Sequence, residues 1–315
     1  MKAGDFTLSL ADGTRLVLCA GDEEAARVVD FLARVATLTP GPSSTGRGEE
    51  ERRLLVVTAP GGQADTRSVS YASDADIVLS LEPTDMPQRR RLWRDPTASP
   101  EPLTTEQWFW QQLVRLSACI AQQTQSRGGV LLHSGLVLTP TPLERKGSWG
   151  RGAWGEGGIL LAGRSGVGKS TAARRLPPPW RALADDVVLV VQAGDGAYWA
   201  HPWPTWSRFF GEEKGDGSDT WDVQRAVPLR AIFVLEQGEE DRVEPLGPGH
   251  AVALLAELAR QTSTHFLRGW PLDELAAFNR QRFENLCALV RAVPAYTLYV
   301  SLTGTFWDEI ARLMQ

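Results

Sequence analysis

The sequence predicts a mixed α/β fold preceded by a smaller α+β unit, and three observations carry that prediction. An apolar run, Ile159 to Ala162, leads straight into Gly163-Arg164-Ser165-Gly166-Val167-Gly168-Lys169-Ser170, and Thr171-Ala172-Ala173 then opens a helix. Strand-like and helix-like patterns alternate from Val130 onward, the order that lays helices over a sheet. Ahead of them, the chain up to Leu81 reads as a hairpin, a helix and two further strands, closed by a breaker-rich segment.

Size and composition are consistent with this. A chain of 315 residues, 43% hydrophobic and 23% charged, can bury a core without staples, which excludes collagen-like and wholly disordered classes. A formal charge of −5 argues against a general nucleic-acid binder. Cys19, Cys119 and Cys287 are odd in number, far apart and free of CxxC spacing, the pattern of buried thiols in a reducing compartment. No apolar stretch approaches the roughly 20 residues of a membrane span, and no signal pattern opens the sequence. The expected location is cytoplasmic, with neither membrane nor nucleic acid as partner.

Each element follows in order. Residues from Phe6 to Leu18 alternate about Asp12-Gly13, which predicts a hairpin with a two-residue turn. Ala25, Val28, Val29, Leu32, Val35 and Ala36 form a helical stripe between Glu23 and Leu38, and Thr39 to Arg52 reads as a surface loop. Leu54–Val57 and Ile77–Leu81 predict short strands. Pro83 to Pro102 marks a domain boundary, giving a small α+β N-terminal domain over 1–100 and a nucleotide-binding domain over 101–315. Thr104 and Gln107 form a capping-box pattern for a helix running toward Gly128. Strands are expected at Val130–Leu132 and Leu136–Thr139, with His133 at the strand–turn junction between them. The low-complexity stretch Gly147 to Gly158 is a tolerated surface insertion or, alternatively, a lid or peptide-contacting loop carrying Trp149, Arg151 and Trp154. Beyond the glycine-rich octet, strands are predicted at Asp186–Val191, Ala231–Leu235 and near Tyr296–Leu302, and helices at His250–Gln261 and Leu272–Val290. The helix that opens at Lys169 is cut short by Pro177-Pro178-Pro179.

The octet carries the clearest chemistry. It fits GxxxxGK[ST]: glycines let backbone N–H groups turn toward phosphate oxygens, Lys169 reaches the β- and γ-phosphates, and Ser170 places its hydroxyl on Mg2+. Gly163, Arg164, Ser165, Gly166, Val167, Gly168, Lys169, Ser170 and Thr171 are therefore the expected nucleotide-binding residues. Asp185-Asp186, immediately ahead of an apolar strand, can hold Mg2+ or accept a proton from an attacking hydroxyl. His201, His250 and His265 share no metal-ligand spacing. Of 12 tryptophans, several fall between Trp180 and Trp221. The segment His201-Pro-Trp-Pro-Thr-Trp-Ser-Arg208 reads either as a packed connection or as an acceptor groove, with Trp203 and Trp206 as platforms and Arg208 as a clamp. Gly211 to Asp222 reads as a solvated acidic loop.

Leu132-His133-Ser134-Gly135, the run from Leu160 to Ser170, and Ala184-Asp185-Asp186-Val187-Val188 together resemble the catalytic domain of HPr kinase/phosphorylase, a fold shared with phosphoenolpyruvate carboxykinase. The resemblance spans Gly128 to Val191 and continues more loosely to Gln315. Pro179-Trp180-Arg181, Trp199 to Arg208, Phe233 to Gln237 with Asp241 to Pro245, and Val293 to Tyr296 with Gly304 to Trp307 are similar to the HPr-kinase-like proteins of SynChlorMet peptide-modification cassettes. That resemblance implies an HPr-kinase-like phosphate-loop domain using ATP and Mg2+. It implies phosphoryl transfer to a Ser or Thr hydroxyl of a ribosomally made precursor peptide, with that peptide and cassette radical SAM enzymes as partners. It makes His133 a phosphate-contacting or active-site residue and Asp185-Asp186 the base and Mg2+ pair, with Ser170 and Asp186 as metal ligands. The chain departs from HPr kinase in lacking its C-terminal carrier-recognition signature and in the insertion from Thr139 to Gly158, so HPr is not the implied substrate. A nucleotide-dependent protein that presents the peptide to a radical SAM enzyme, or a small-molecule kinase, would share the same loop; the fate of the γ-phosphate separates the three.

Overall fold

The computed structural model describes residues 6–36, 50–58, 75–81, 105–139, 157–203, 223–263, 267 and 270–314. Strands β1 (Phe6–Ser9) and β2 (Thr14–Ala20) pair antiparallel with Ser9 opposite Arg15. The turn between them differs from the two-residue expectation. Leu10 N bonds to Thr14 O at 2.9 Å, so Ala11, Asp12 and Gly13 form a three-residue loop closed by Gly13 at φ 84°. Asp12 enforces it, its carboxylate accepting from both the backbone N (2.9 Å) and the hydroxyl (2.8 Å) of Thr14. Helix α1 (Glu23–Ala36) starts at Asp22, whose side chain accepts from Ala25 N at 2.8 Å. Strands β3 (Glu50–Thr58) and β4 (Ile77–Leu81) add on in parallel, giving the order β1-β2-β3-β4. β3 begins at Glu50, so the tail of the expected 39–52 loop is strand: Glu50 to Arg52 find ladder partners in Thr14 to Leu16.

Helix α2 (Thr105–Thr124) packs onto this sheet. Its Trp108, Leu113, Leu116 and Ile120 join Val28, Leu32, Leu54 and Val56 in one apolar cluster, which also takes in Leu189, Val191 and Trp203 from the second sheet. A single core therefore lies between the smaller sheet and one flank of the larger one.

The larger sheet is mixed and eight-stranded. Its members are β5 (Val130–Leu138), β6 (Gly158–Ala162), β7 (Arg181–Ala184), β8 (Val187–Gln192), β9 (Tyr198–Pro202), β10 (Val227–Gln237), β11 (Arg242–Pro245) and β12 (Ala295–Val300). The order is β11-β12-β10-β6-β5-β8-β9, with β7 also on β5 and a short β9–β10 pairing. Only β6–β10 and β10–β12 are parallel. Period-2 alternation splits the buried strands between two layers. In β6, Leu160 and Ala162 face helices α4 (Pro248–Ser263) and α5 (Leu272–Ala292), while Ile159 and Leu161 face α3 (Lys169–Arg175) and α6 (Phe306–Met314).

The sequence reading omitted β7, β9, β11 and α6, all nine residues or shorter and so poor carriers of a periodic signal. It also split β5 at His133, where the strand runs unbroken through Ser134-Gly135. Glycine there predicts a turn, but the sheet needs it for close approach: a Cβ on Gly135 would lie 3.1 Å from Ala184 O. Pro83–Pro102, Thr104, the side chain of Gln107, the bulk of the Thr139–Gly158 insertion with Trp149, Arg151 and Trp154, Trp206, Arg208, the Gly211–Asp222 segment and His265 lie outside the described residues. Among the described residues, no helix is long and apolar enough to cross a membrane.

Candidate functional site

β5 runs between β6 on one edge and β8, then β7, on the other, and the site forms where the β8 ladder ends and the β6 ladder begins. Val130 to His133 pair with β8, His133 lying opposite Val187; Ser134 to Leu138 pair with β6, Ser134 lying opposite Ala162. The residue before Val187 is Asp186, and the residue after Ala162 is Gly163. One strand thereby sets the register of both the acidic pair and the glycine-rich loop.

The loop from Gly163 to Gly168 links β6 to α3. Gly163 has no room for a side chain, since a Cβ would meet Val167 Cγ1 at 2.8 Å, and Gly168 holds the helix N-cap at φ 109°, which a side chain would strain. Arg164, Ser165 and Gly166 are exposed at the tip, Ser170 is half-buried and Thr171 is exposed. Lys169 is buried, 6% exposed, and its Nζ donates to Gly163 O (2.8 Å) and Arg164 O (3.2 Å). Burial pushes its pKa down, while the charges of Asp186 and Asp185 oppose that shift. The lysine and both carboxylates thus share one electrostatic neighbourhood. α3 stops at Leu176, which is extended as the residue before a proline must be, and Arg175 at its end donates to Ser301 O at 2.6 Å.

Asp185 and Asp186 fill the two-residue gap between β7 and β8, both of which pair with β5. Asp185 is buried; the Asp186 side chain is 29% exposed and its Oδ1 lies 2.7 Å from His133 Nε2. The His133 ring is 14% exposed, and its Nδ1 lies 2.9 Å from Gln261 Oε1 on α4. Gln261 Nε2 in turn donates to Glu257 Oε1 at 3.0 Å, and Arg260 holds that carboxylate with two bonds, of 2.7 and 2.8 Å. Those bonds pull Glu257 down to about 2, Arg260 contributing most, then Gln261; the charge of Arg164 in the loop acts in the same direction.

The donor set available here is oxygen: the Ser170 hydroxyl and two carboxylates. That chemistry fits a hard cation such as Mg2+, which takes one or two protein carboxylates and fills its shell with water and phosphate oxygens. Among the described residues, no group of three or more His, Cys, Asp or Glu stands together as an all-protein cage.

The structure brings His133, Lys169, Asp185 and Asp186 together: His133 lies within β5, Asp185 and Asp186 fill the break between β7 and β8, and Lys169 opens α3. Trp203 does not join them. It is 1% exposed, packs in the cluster with Trp108 and Leu189, and donates Nε1–H to Ser117 O at 3.1 Å, so it cannot serve as an open platform. Gln261 and Glu257 were missed. Gln261 is 128 positions from His133 in sequence, and the only available signal was a polar pair at i,i+4 spacing on the edge of an otherwise apolar helix.

Architecture and site together define a mixed α/β protein in which a glycine-rich strand–helix loop is set against an acidic strand break by one shared strand. More particularly, residues 101–315 match the model of the family described as SynChlorMet cassette protein ScmC, and the chain belongs to that family. No curated protein matches the chain.

Proposed function

We propose that this protein is a Mg2+-ATP-dependent kinase with an HPr-kinase/PEP-carboxykinase-like phosphate-loop domain, transferring a phosphoryl group to a Ser or Thr hydroxyl of a cassette-encoded precursor peptide. The observation that carries the reading is the short His133–Asp186 contact, held beside Lys169 by β5, which carries β8 on one edge and β6 on the other. Such transfer needs little covalent chemistry from the protein; it needs the nucleophile aligned and negative charge balanced.

The loop residues Gly163 to Thr171 would bind the nucleotide phosphates. Lys169 is already poised there: its ammonium is held by two backbone carbonyls, and phosphate oxygens would be stronger acceptors than either. Ser170 and Asp186 are the proposed donors to Mg2+, which when bound would offset charge on the phosphates. Asp186 Oδ1 is taken up by His133, while the second oxygen makes no hydrogen bond among the described residues and faces the shared task of the acid pair, cation binding and acceptance of the hydroxyl proton. Buried Asp185 reinforces the negative potential behind it.

The division into a small N-terminal domain, 1–100, and a kinase-like domain, 101–315, belongs to this proposal, with α2 as the element through which the two share apolar surface. Family membership places the chain in SynChlorMet cassettes, which supports a peptide and radical SAM enzymes as partners.

The test is intact-mass spectrometry of the precursor peptide after incubation with ATP, Mg2+ and the protein, alongside Lys169→Ala. A gain of one phosphate that vanishes with the variant is the expected result. Equal gain with the variant, or ATP consumed with the phosphate on water or a metabolite, overturns the reading.

A further inference from the structure

We propose that the cleft between α2, α4 and α5 is a binding site for a small organic monocarboxylate, with Arg282 as the residue that takes the carboxylate. The cleft holds about 380 Å³ of space, part of it open to solvent. None of His133, Lys169, Asp185 or Asp186 lines it. It nevertheless backs onto the candidate site. Its wall includes Leu131, two residues before His133, and Thr262, next to Gln261, and the Thr262 hydroxyl donates to Leu131 O at 3.2 Å.

Charge balance points to the ligand. Arg282 is half-buried, and its hydrogen bonds all go to uncharged acceptors: Nη1 donates to Ser263 Oγ at 2.7 Å and Ala259 O at 3.3 Å, and Nη2 to Asn279 Oδ1 at 2.8 Å. Among the described residues no carboxylate forms an ion pair with it. The carbonyl end of α4 offers only the partial negative charge of a helix terminus. Burial therefore pushes the guanidinium pKa down, and the charge of Arg260 acts in the same direction. The guanidinium has more N–H groups than these bonds use. Nε–H and one Nη2–H are left over, on neighbouring nitrogens of one planar group, which suits the two oxygens of a carboxylate. A single uncompensated positive charge calls for a single negative one. The other walls set the rest of the ligand: Ala118, Leu131 and Phe278 are apolar, so they suit a short hydrocarbon chain better than inorganic phosphate. The side-chain amide of Gln122, also on the wall, makes no hydrogen bond among the described residues and can donate to the same carboxylate.

The experiment uses the full chain with neither nucleotide nor peptide, so its outcome is independent of the kinase reading. Isovalerate, a short branched hydrocarbon ending in a carboxylate, is titrated by saturation-transfer NMR alongside its neutral amide, isovaleramide. The expected result is saturable binding of isovalerate with a Kd of about 1 mM, the range for so small a ligand, and no binding of the amide. Arg282→Gln should weaken binding by roughly tenfold or more, as loss of a charge-assisted pair does. Arg282 also holds the end of α4, so a second variant leaves it in place. Ala118→Leu fills the cleft from α2, at a position outside the three apolar clusters, and should abolish binding while the protein still melts cooperatively. If Arg282→Gln fails to fold, Ala118→Leu decides alone. Equal binding of isovaleramide, unchanged affinity in folded Arg282→Gln, or binding that survives in Ala118→Leu overturns the proposal. So does a parent protein with no saturable isovalerate binding up to about 20 mM. Displacement of isovalerate by an equal concentration of inorganic phosphate overturns the monocarboxylate assignment.

Discussion

Two histidines on strands separated only by β8 have opposite surroundings. His201 on β9 is fully buried; its Nδ1–H donates to Val223 O at 2.8 Å and its Nε2 accepts from Ala11 N at 3.2 Å. Both partners are backbone groups, one a fixed acceptor and one a fixed donor, so only the neutral ring satisfies them, and burial pushes its pKa down to about 4. His133 on β5 faces two side-chain oxygens, of Asp186 and Gln261, and keeps an edge to solvent. The first ring stitches the β1–β2 turn to the large sheet; the second belongs to a polar chain that ends at the candidate site. Partner type, more than residue type, decides whether an imidazole is mortar or machinery.

The largest expected effect would break the comparison on the His133 side. Asp186→Asn keeps the size of the side chain and removes the charge, and should lower peptide phosphorylation by about 10²–10⁴-fold, the range for a lost acid–base group. Thermal melting should move little, since Asp186 is part-exposed and its neighbour His133 can donate to an amide oxygen. Single-turnover transfer from ATP and a melting curve on the same preparation check this. A large fall in melting temperature with transfer intact would make the His133 cluster structural, like that of His201.

On the His201 side the expectation reverses. His201→Leu leaves Ala11 N and Val223 O without their partner, at a cost of about 2–4 kcal/mol in unfolding free energy, while kcat of the folded protein is unchanged. The same ring predicts a pH dependence. Its folded value, about 4, lies below the ordinary 6.5, so as pH falls the unfolded chain takes up the proton first. The contribution is complete above pH 6.5 and is lost as pH falls toward 4, amounting to about 3 kcal/mol by the free energy of the shift. Denaturant melts across that interval should show the loss in the parent and its absence in His201→Leu. A parent with flat stability there would mean that the ring is accessible to protons in the folded state.

The two regions were unequally legible in sequence. The octet from Gly163 to Ser170 and the pair Asp185-Asp186 are local patterns, and local patterns survive in one dimension. The helices α1, α4 and α5 were legible for the same reason, each long enough for its apolar stripe to repeat. What could not be read was pairing between distant segments. That β5 carries β6 on one edge and β8 and β7 on the other is a property of four strands at once, so Ser134-Gly135 reads as a turn in the sequence when it is strand interior. Gln261 and Ala11 are likewise functional or structural partners only through tertiary contact, each more than a hundred positions from the histidine it meets. The glycine-rich loop could be found without the fold, but the network behind it could not.

Trp203 supplies the smallest and most discriminating test, because the sequence allowed it either role. It lies two residues beyond His201, on the same seam, with its indole enclosed by the cluster around Trp108 and its Nε1–H on Ser117 O. Trp203→Phe removes that donor and some volume while remaining aromatic, and should cost about 1–2 kcal/mol of stability. A groove platform would respond differently: stacking on an exposed ring tolerates the change in stability but loses contact area with the bound peptide. The KM for the precursor peptide should therefore be the same in Trp203→Phe as in the parent while the melting temperature falls. A raised KM with an unchanged melt would turn the seam outward, place the peptide against β9, and leave His201 bordering a binding surface instead of an interior joint.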